Sequence, residues 1–225
     1  MATYVLIPGA GCGPWHWHLL VPQLRARGHD VVTVELPCND DAAGLGDYTD
    51  AVVDAIGDRT DLVVVAHSLA GFTGPLVCER LPADLLVLLT AMVPASGEPP
   101  GEWWDATGFE AARRVQAERD GAAPEGDREV YFHDLPADLA AEAETRWRGQ
   151  SGTPMALPWP LPAWPRVATR FLLCRDDRFF PEDFMRRLAR DRLGIAADAM
   201  AGGHFPMLSR PKDLAERLEE YRLGT

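Results

Sequence analysis

A serine, two adjacent aspartates and a histidine stand out as residues that could carry out nucleophilic chemistry together. Ser68 follows the run LVVVAH, Asp176 and Asp177 lie in CRDDRFFP, and His204 lies in GGHFPMLSRP. A serine hydroxyl is a poor nucleophile near neutral pH, so it needs a base to take its proton. Histidine is the usual base, and it needs a carboxylate to fix its tautomer and stabilise its charged form. These residue types predict Ser68 as a nucleophile activated by His204, with one of the two aspartates as the carboxylate.

Alternating strand and helix patterns indicate where these side chains should lie. Short β-branched and aromatic runs are separated by stretches of helical periodicity, which favours an α/β fold. Such a fold has a mostly parallel, doubly wound sheet covered by helices on both faces. Ser68 follows the third predicted strand, the aspartates follow the fifth, and His204 follows the sixth, so all should meet at the carboxyl edge of the sheet. The six predicted strands are Thr3–Ile7, Asp30–Val34, Leu62–Val65, Leu85–Leu89, Thr169–Leu173 and Ile195–Met200.

The segment around Ser68 is typical of a sharp turn from a strand into a helix. This turn is normally written G-x-S-x-G, whereas alanines occupy both glycine positions here, at 66 and 70. Small residues are needed because the two backbones approach closely, and the serine itself takes the strained, positive-φ conformation. Alanine adds only one methyl group on each side, and Gly71 eases the start of the helix. We therefore expect the turn to be retained, followed by a helix over Leu69–Leu81 that Gly74-Pro75 should kink.

At these residues the chain resembles the α/β-hydrolase superfamily, and within it the plant-type methylesterase and hydroxynitrile lyase branch with its bacterial relatives. LIPGAGCGPWHW is similar to that branch's early His-Gly-Ala segment, with Pro8 in place of the histidine. CRDDRFFP resembles G-x-x-D-x-x-x-P, with Cys174 in place of the glycine, and this register selects Asp177 over Asp176. GGHFPMLSRP closely matches the histidine loop. The resemblance covers most of the chain and is weakest over residues 96–150.

The resemblance implies an α/β-hydrolase fold and a catalytic triad of Ser68, His204 and Asp177. It also implies an oxyanion hole formed by two backbone N–H groups, those of Ala10 after the first strand and Leu69 after the serine. The activity that follows is hydrolysis of an ester, thioester or small lactone through an acyl-serine intermediate. Residues 96–165 are rich in Trp, Phe, Leu and Pro, which favours an apolar or aromatic substrate. No cofactor is expected.

One long segment, residues 96–165, interrupts the alternation of strands and helices. It is too long for an ordinary connection and contains no convincing strand, so it predicts a mainly helical cap. This cap would be inserted into a core formed by residues 1–95 and 166–225. Two helices are expected in it, at about Trp103–Arg119 and Ala137–Arg148. The candidate substrate-pocket residues are His67, Trp103, Trp104, Trp159 and Phe205.

Composition and charge exclude several other classes of protein. The chain has 225 residues, of which 47% are hydrophobic, and a net charge of −12, so one globular unit with an acidic surface is expected. Such a surface disfavours nucleic acid as a partner. The four cysteines are scattered, and His16 and His18 lack a third ligand, so no metal site is expected. With no signal peptide or membrane span in the sequence, we expect a cytoplasmic protein that acts on a small molecule, and a homodimer remains open.

Other reactions on the same scaffold can be weighed from single residues. A hydroxynitrile lyase would, by family analogy, carry a lysine after the catalytic histidine, but Phe205 stands there and the only lysine is Lys212. Gly9 also lies where the lyases carry a hydroxyl residue. Epoxide hydrolases and haloalkane dehalogenases of this fold need an aspartate at the position that Ser68 occupies here, so Ser68 excludes both activities. A cofactor-free lyase, cyclase or isomerase that uses the serine–histidine pair remains open, as does a slow-turnover ligand-binding protein.

Overall fold

The computed structural model describes residues 1–121 and 126–224, and its centre is a six-stranded parallel sheet. The strand order within these residues is β2-β1-β3-β4-β5-β6, and every neighbouring pair is parallel, where the sequence predicts a mostly parallel sheet. Helices cover both faces, which confirms the doubly wound α/β architecture. The strands are β1 (Thr3–Ile7), β2 (Asp30–Thr33), β3 (Leu62–His67), β4 (Ala83–Leu89), β5 (Thr169–Cys174) and β6 (Asp198–Met200).

Eleven α-helices and two short 3₁₀ helices lie between and after the strands in the described part of the chain. The 3₁₀ helices are Pro14–Trp17 and Ser68–Gly71. The α-helices are α1 (Val21–Arg25), α2 (Leu45–Ile56), α3 (Gly74–Arg80), α4 (Trp103–Thr107), α5 (Phe109–Asp120), α6 (Gly126–Tyr131), α7 (Ala137–Thr145), α8 (Thr153–Ala156), α9 (Glu182–Leu193), α10 (Pro206–Ser209) and α11 (Pro211–Leu223).

Alternation along the strands produces two hydrophobic clusters, one on each face of the sheet. Val5 and Ile7 of β1 point into the cluster that α2, α3 and α9 cover, whereas Tyr4 and Leu6 point into the cluster beneath α1 and α11. β3 is buried along its full length, which explains why its sequence is apolar almost throughout. The strand continues to His67, so Ser68 follows it directly.

The helix predicted over Leu69–Leu81 is broken rather than kinked. A 3₁₀ turn ends at Gly71, and α3 starts afresh at Gly74 with Pro75 in its first turn, where a missing N–H costs no hydrogen bond. Gly71 has a packing role that the sequence does not reveal. A β-carbon there would lie 1.8 Å from the Met92 carbonyl oxygen, so any side chain would displace the loop after β4.

Residues 96–165 carry α4 to α8 and no strand within their described part. The helix expected over Trp103–Arg119 is divided at Gly108, which takes a left-handed conformation with φ of 70°. The helix expected over Ala137–Arg148 ends at Thr145, while α6 and α8 were not predicted. Trp103, Phe109 and Trp159 belong to one hydrophobic cluster of the sheet, and Phe132, Ala140 and Ala143 belong to the other. No helix among the described residues is long and apolar enough to span a membrane.

Candidate active site

Ser68 occupies a strained turn at the carboxyl end of β3. Its φ of 53° lies in the left-handed region, which a serine adopts only where its surroundings enforce it. Ala66 fits beside this turn because Gly74 faces it, and a β-carbon on Gly74 would lie only 2.7 Å from Cβ of Ala66. The turn therefore tolerates alanine at position 66 because a glycine on α3 supplies the missing space.

Ser68, His204 and Asp177 form a continuous chain of hydrogen bonds. Oγ of Ser68 lies 3.1 Å from Nε2 of His204, and Nδ1 of His204 lies 2.8 Å from Oδ2 of Asp177. Since a carboxylate only accepts, Nδ1 carries a proton and donates a hydrogen bond to Asp177. Nε2 is then free to accept from the serine hydroxyl. All three residues are buried, and they come from three different strand ends.

The carboxylate of Asp177 has its remaining acceptor positions occupied by protein donors. Oδ2 also accepts from Oγ1 of Thr90 at 2.6 Å, and Oδ1 accepts from the N–H groups of Phe179 at 2.8 Å and Phe180 at 3.1 Å. Burial acts to raise the pKa of Asp177, but the interaction with His204 and these hydrogen bonds hold that pKa below its ordinary value. The charged form is therefore favoured even though the side chain is buried.

Asp176 lies beside Asp177 in sequence but has a different environment. Its side chain is exposed, and Oδ2 accepts from the N–H of Gly202 at 2.9 Å. Its own N–H donates to the carbonyl oxygen of Gly202 at 3.1 Å. Asp176 thus ties the loop after β5 to the loop that carries His204, whereas Asp177 accepts the hydrogen bond from the His204 ring.

Ala10 and Leu69 both border the cavity beside Ser68. Neither backbone N–H donates to another protein acceptor in the part of the chain that the structure describes. Gly9, which precedes Ala10, packs closely on the serine, and a β-carbon there would lie 2.9 Å from Cβ of Ser68. The loop after β1 therefore lies directly against the serine, as a two-donor oxyanion hole would require.

A cavity of about 190 Å³ opens in front of Ser68 and His204. Three of the five predicted pocket residues, His67, Trp104 and Phe205, line it. The prediction is wrong for Trp103 and Trp159. Both indole rings are buried in the hydrophobic core, where their Nε1–H groups donate to the carbonyl oxygens of Val93 at 2.9 Å and Phe72 at 3.0 Å.

Most of the cavity wall was not predicted from the sequence. Phe179 could have been found, because it follows Asp177 by two residues, and its ring centroid lies 5.3 Å from that of His204. Tyr131 offered no such signal because it lies at the end of the unpredicted α6; its ring centroid is 5.4 Å from that of His204. Burial raises the pKa of Tyr131 to about 12. The further unpredicted lining residues are Gly9, Cys12, Met92, Trp147, Gln150 and Met155.

His67 packs against the His204 ring and hydrogen-bonds to its backbone. Its Nε2–H donates to the carbonyl oxygen of His204 at 2.9 Å, and the two ring centroids are 4.9 Å apart. Burial, with the nearby His204, lowers the pKa of His67 well below its ordinary value, so this ring stays neutral. Among the described residues, no three His, Cys, Asp or Glu side chains are grouped as a metal site would require.

Comparison with known proteins agrees with this fold. The sequence profile described as "Alpha/beta hydrolase family" matches residues 4–217, and the chain belongs to this family. The resemblance noted in the sequence is thereby confirmed.

Relatives of similar length extend the comparison over nearly the whole chain. Norfluorocurarine synthase 1 of Strychnos sp is 23% identical over 96% of this chain and 94% of its own. Methylesterase 3 of Arabidopsis thaliana is 24% identical over the same shares, 96% and 94%. The crystal structure of polyneuridine aldehyde esterase is similar in fold, with a TM-score of 0.79, 18% identity and coverage of 98% of this chain and 99% of that chain.

Proposed function

We propose that this protein is a serine hydrolase that cleaves a small carboxylic ester, thioester or lactone through an acyl-serine intermediate. The family and its esterase-named members support ester hydrolysis in general. The observation that carries the finer proposal is the unbroken chain from Oγ of Ser68 through the His204 ring to Asp177. In this arrangement the histidine can accept the serine proton while its other nitrogen remains hydrogen-bonded to a carboxylate.

In the first half of the reaction, Oγ of Ser68 attacks the carbonyl carbon and Nε2 of His204 takes the hydroxyl proton. The carbonyl π electrons move to oxygen, and the N–H groups of Ala10 and Leu69 stabilise the resulting oxyanion. The tetrahedral intermediate then collapses, the bond to the leaving alcohol breaks, and His204 gives its proton to that alcohol. Asp177 stays ionised throughout and stabilises the imidazolium. The product of this half is an acyl group on Ser68.

In the second half, water replaces the alcohol. His204 takes a proton from the water while its oxygen attacks the acyl carbon, and the same two N–H groups stabilise the second oxyanion. Collapse breaks the bond to Oγ of Ser68, and the proton returns from His204 to the serine. The acid leaves, and the site is restored without any other reagent.

The cavity favours a small, uncharged and partly aromatic substrate. Its volume of about 190 Å³ is small for a ligand pocket, so it suits a short acyl or alcohol group. Apart from Ser68, Gln150 and the two histidines, its side chains are aromatic, aliphatic or sulfur-containing, and none is a carboxylate, lysine or arginine. An anionic substrate would lose its hydration there without gaining a countercharge. We therefore expect kcat/KM to rise with the apolar character of the substrate.

Cyanohydrin cleavage is disfavoured by two further features of the site. A β-carbon on Gly9 would lie 2.9 Å from Cβ of Ser68 and 3.0 Å from Nδ1 of His67, so a hydroxyl side chain there would displace the serine. Phe205 fills the wall next to His204, and its ring centroid is 5.0 Å from that of His67. Lys212 lies at the start of α11 and does not line the cavity.

Burst kinetics with p-nitrophenyl acetate test the proposal against the two remaining alternatives. A hydrolase releases p-nitrophenolate over many turnovers, and a fluorophosphonate probe adds once, at Ser68. With a slow-turnover ligand-binding protein, release of p-nitrophenolate would stop near one equivalent per protein molecule. A non-hydrolytic enzyme would show no burst that depends on Ser68, and labelling that persists in Ser68→Ala would contradict the assignment of the nucleophile.

A further inference from the structure

The loop that carries Ala10 is held by four residues, Trp147–Gln150, which lie within residues 96–165. We call this segment the strap. Nε1–H of Trp147 donates to the carbonyl oxygen of Ala10 at 2.8 Å, and the N–H of Arg148 donates to that of Gly11 at 2.9 Å. Nη2 of Arg148 donates to the carbonyl oxygen of Cys12 at 2.8 Å. Three successive carbonyl groups of the loop therefore accept hydrogen bonds from the strap.

Contact between the loop and the strap is close as well as hydrogen-bonded. Gly11 has a φ of 66°, and a β-carbon on it would lie 2.4 Å from the carbonyl oxygen of Arg148 and 2.6 Å from Cδ1 of Trp147. The N–H of Gly11 donates to Oε1 of Gln150 at 3.3 Å. The loop thus has a left-handed residue at its centre and packs on the strap without space for a side chain.

We propose that Trp147 and Arg148 are positioning residues that hold the Ala10 N–H in place for the oxyanion. This inference rests on the proposed serine hydrolase function. An oxyanion hole stabilises charge because its donors are fixed before the reaction. If the carbonyls of Ala10, Gly11 or Cys12 lost their partners, the loop could turn a carbonyl oxygen toward the developing negative charge. The three strap bonds prevent that rotation.

The two residues differ in a way that allows a clean test. Trp147 also lines the cavity with its ring, so its replacement changes the pocket. Arg148 is not part of the cavity lining; besides Cys12 it contacts Glu35 through an ion pair and the carbonyl oxygen of Leu36 at 3.4 Å. Replacing Arg148 therefore removes no atom of the cavity lining, so a change in turnover must act through the loop that Arg148 holds.

The test compares Arg148→Met and Trp147→Phe with the wild type on p-nitrophenyl acetate. We expect kcat to fall about tenfold in each, less than the loss of a whole oxyanion donor, and KM of Arg148→Met to change less than about twofold. Phenylboronic acid, whose serine adduct is tetrahedral and anionic, should bind more weakly by the same factor as kcat/KM falls. Benzyl alcohol, which is uncharged and forms no such adduct, should bind Arg148→Met as it binds the wild type.

Two control variants separate positioning from general stability. Trp164→Phe removes an indole donor to Oγ1 of Thr169, at 3.1 Å, and Glu35→Gln removes the ion pair of Arg148 while leaving its bonds to carbonyl groups. Both should retain wild-type kcat and phenylboronic acid affinity. Arg148→Lys keeps a donor near Cys12 and should recover part of the lost kcat, which covers the case in which Arg148→Met folds poorly.

The inference is wrong if Arg148→Met and Trp147→Phe keep wild-type kcat, or if kcat falls while the affinity for phenylboronic acid stays the same. Failure of the proposed function looks different. In that case the wild type itself would neither hydrolyse the ester nor react with a fluorophosphonate at Ser68.

Discussion

Oγ1 of Thr90 lies 2.6 Å from Oδ2 of Asp177, the same oxygen that accepts from His204. Thr90 follows β4 directly, is fully buried, and has a φ of 38°. A β-branched residue in this region is strained, so the surrounding fold must hold it there. The strain coincides with a function, because the hydroxyl can only donate to the carboxylate and thereby fixes its orientation toward the histidine.

Thr90→Val should destabilise the protein by about 2 kcal/mol at pH 7, because a hydrogen bond to a buried charge is lost while the side-chain shape is kept. The pKa of Asp177 is below its ordinary value in the folded state, so the stability it contributes is present above the unfolded pKa of about 4. That stability is lost as the pH falls through the lower folded pKa. The difference between variant and wild type in urea denaturation should therefore be full at pH 7 and shrink below about pH 4. If the difference in unfolding free energy were the same at pH 7 and below pH 4, Thr90 would not be stabilising the ionised form of Asp177.

Asp177→Asn should lower kcat by about three to four powers of ten, because an amide favours the wrong tautomer of His204. Asp176→Asn should cost less than about threefold, since its amide oxygen can still accept from the N–H of Gly202. Steady-state kinetics on p-nitrophenyl acetate measure both. The reverse ranking would move the triad carboxylate by one residue.

His67 should make the free energy of unfolding depend on pH at values above the pH range in which carboxylates titrate. Its folded-state pKa is depressed, so the unfolded chain takes up a proton near pH 6.5 while the folded protein does not. The free energy of unfolding should fall as the pH drops from about 6.5 to 4.5, by up to about 1.4 kcal/mol per pH unit for this residue. Burial also lowers the pKa of His16, to about 4, which adds a contribution of the same sign.

His67→Gln keeps a side-chain donor for the carbonyl oxygen of His204 and removes the titrating ring. Its unfolding free energy should fall less steeply over this pH range than that of the wild type, as measured by urea denaturation in matched buffers. A slope as steep as in the wild type would show that the His67 ring does not contribute.

The protein should hydrolyse short p-nitrophenyl esters and cleave mandelonitrile no faster than the uncatalysed reaction. A departing cyanide needs a nearby positive charge, and Phe205 lines the cavity where the lyases would carry a lysine. A cyanide-release assay beside an ester assay on the same preparation measures both activities. Fast cyanide release that requires Ser68 and His204 would overturn the hydrolase proposal.

The sequence predicts the parts of this structure that depend on local pattern. Apolar strand runs locate the sheet, and the residues after β3, β5 and β6 locate the groups that come together around Ser68. The residues of the cavity wall are harder to predict, because they depend on the direction in which each aromatic side chain points. Trp103 and Trp104 are adjacent in sequence, yet only Trp104 reaches the cavity, since α4 turns the other ring toward Val93. Tyr131 and Gln150 reach the cavity through tertiary contacts, which no helical or strand periodicity in the sequence indicates.

The same packing bears on how the helical segment over the site can behave. Trp103 and Trp159 on one face of the sheet, and Phe132 on the other, are buried in the clusters that also contain the strand side chains. Because this segment is packed on both faces of the sheet, it cannot move away from the site as a rigid body without exposing those rings to water. Substrates should therefore enter by side-chain rotation around the mouth of the cavity, and a calorimetric scan should show one cooperative transition. Excising residues 96–165 should leave an aggregating remnant rather than an open, uncovered enzyme.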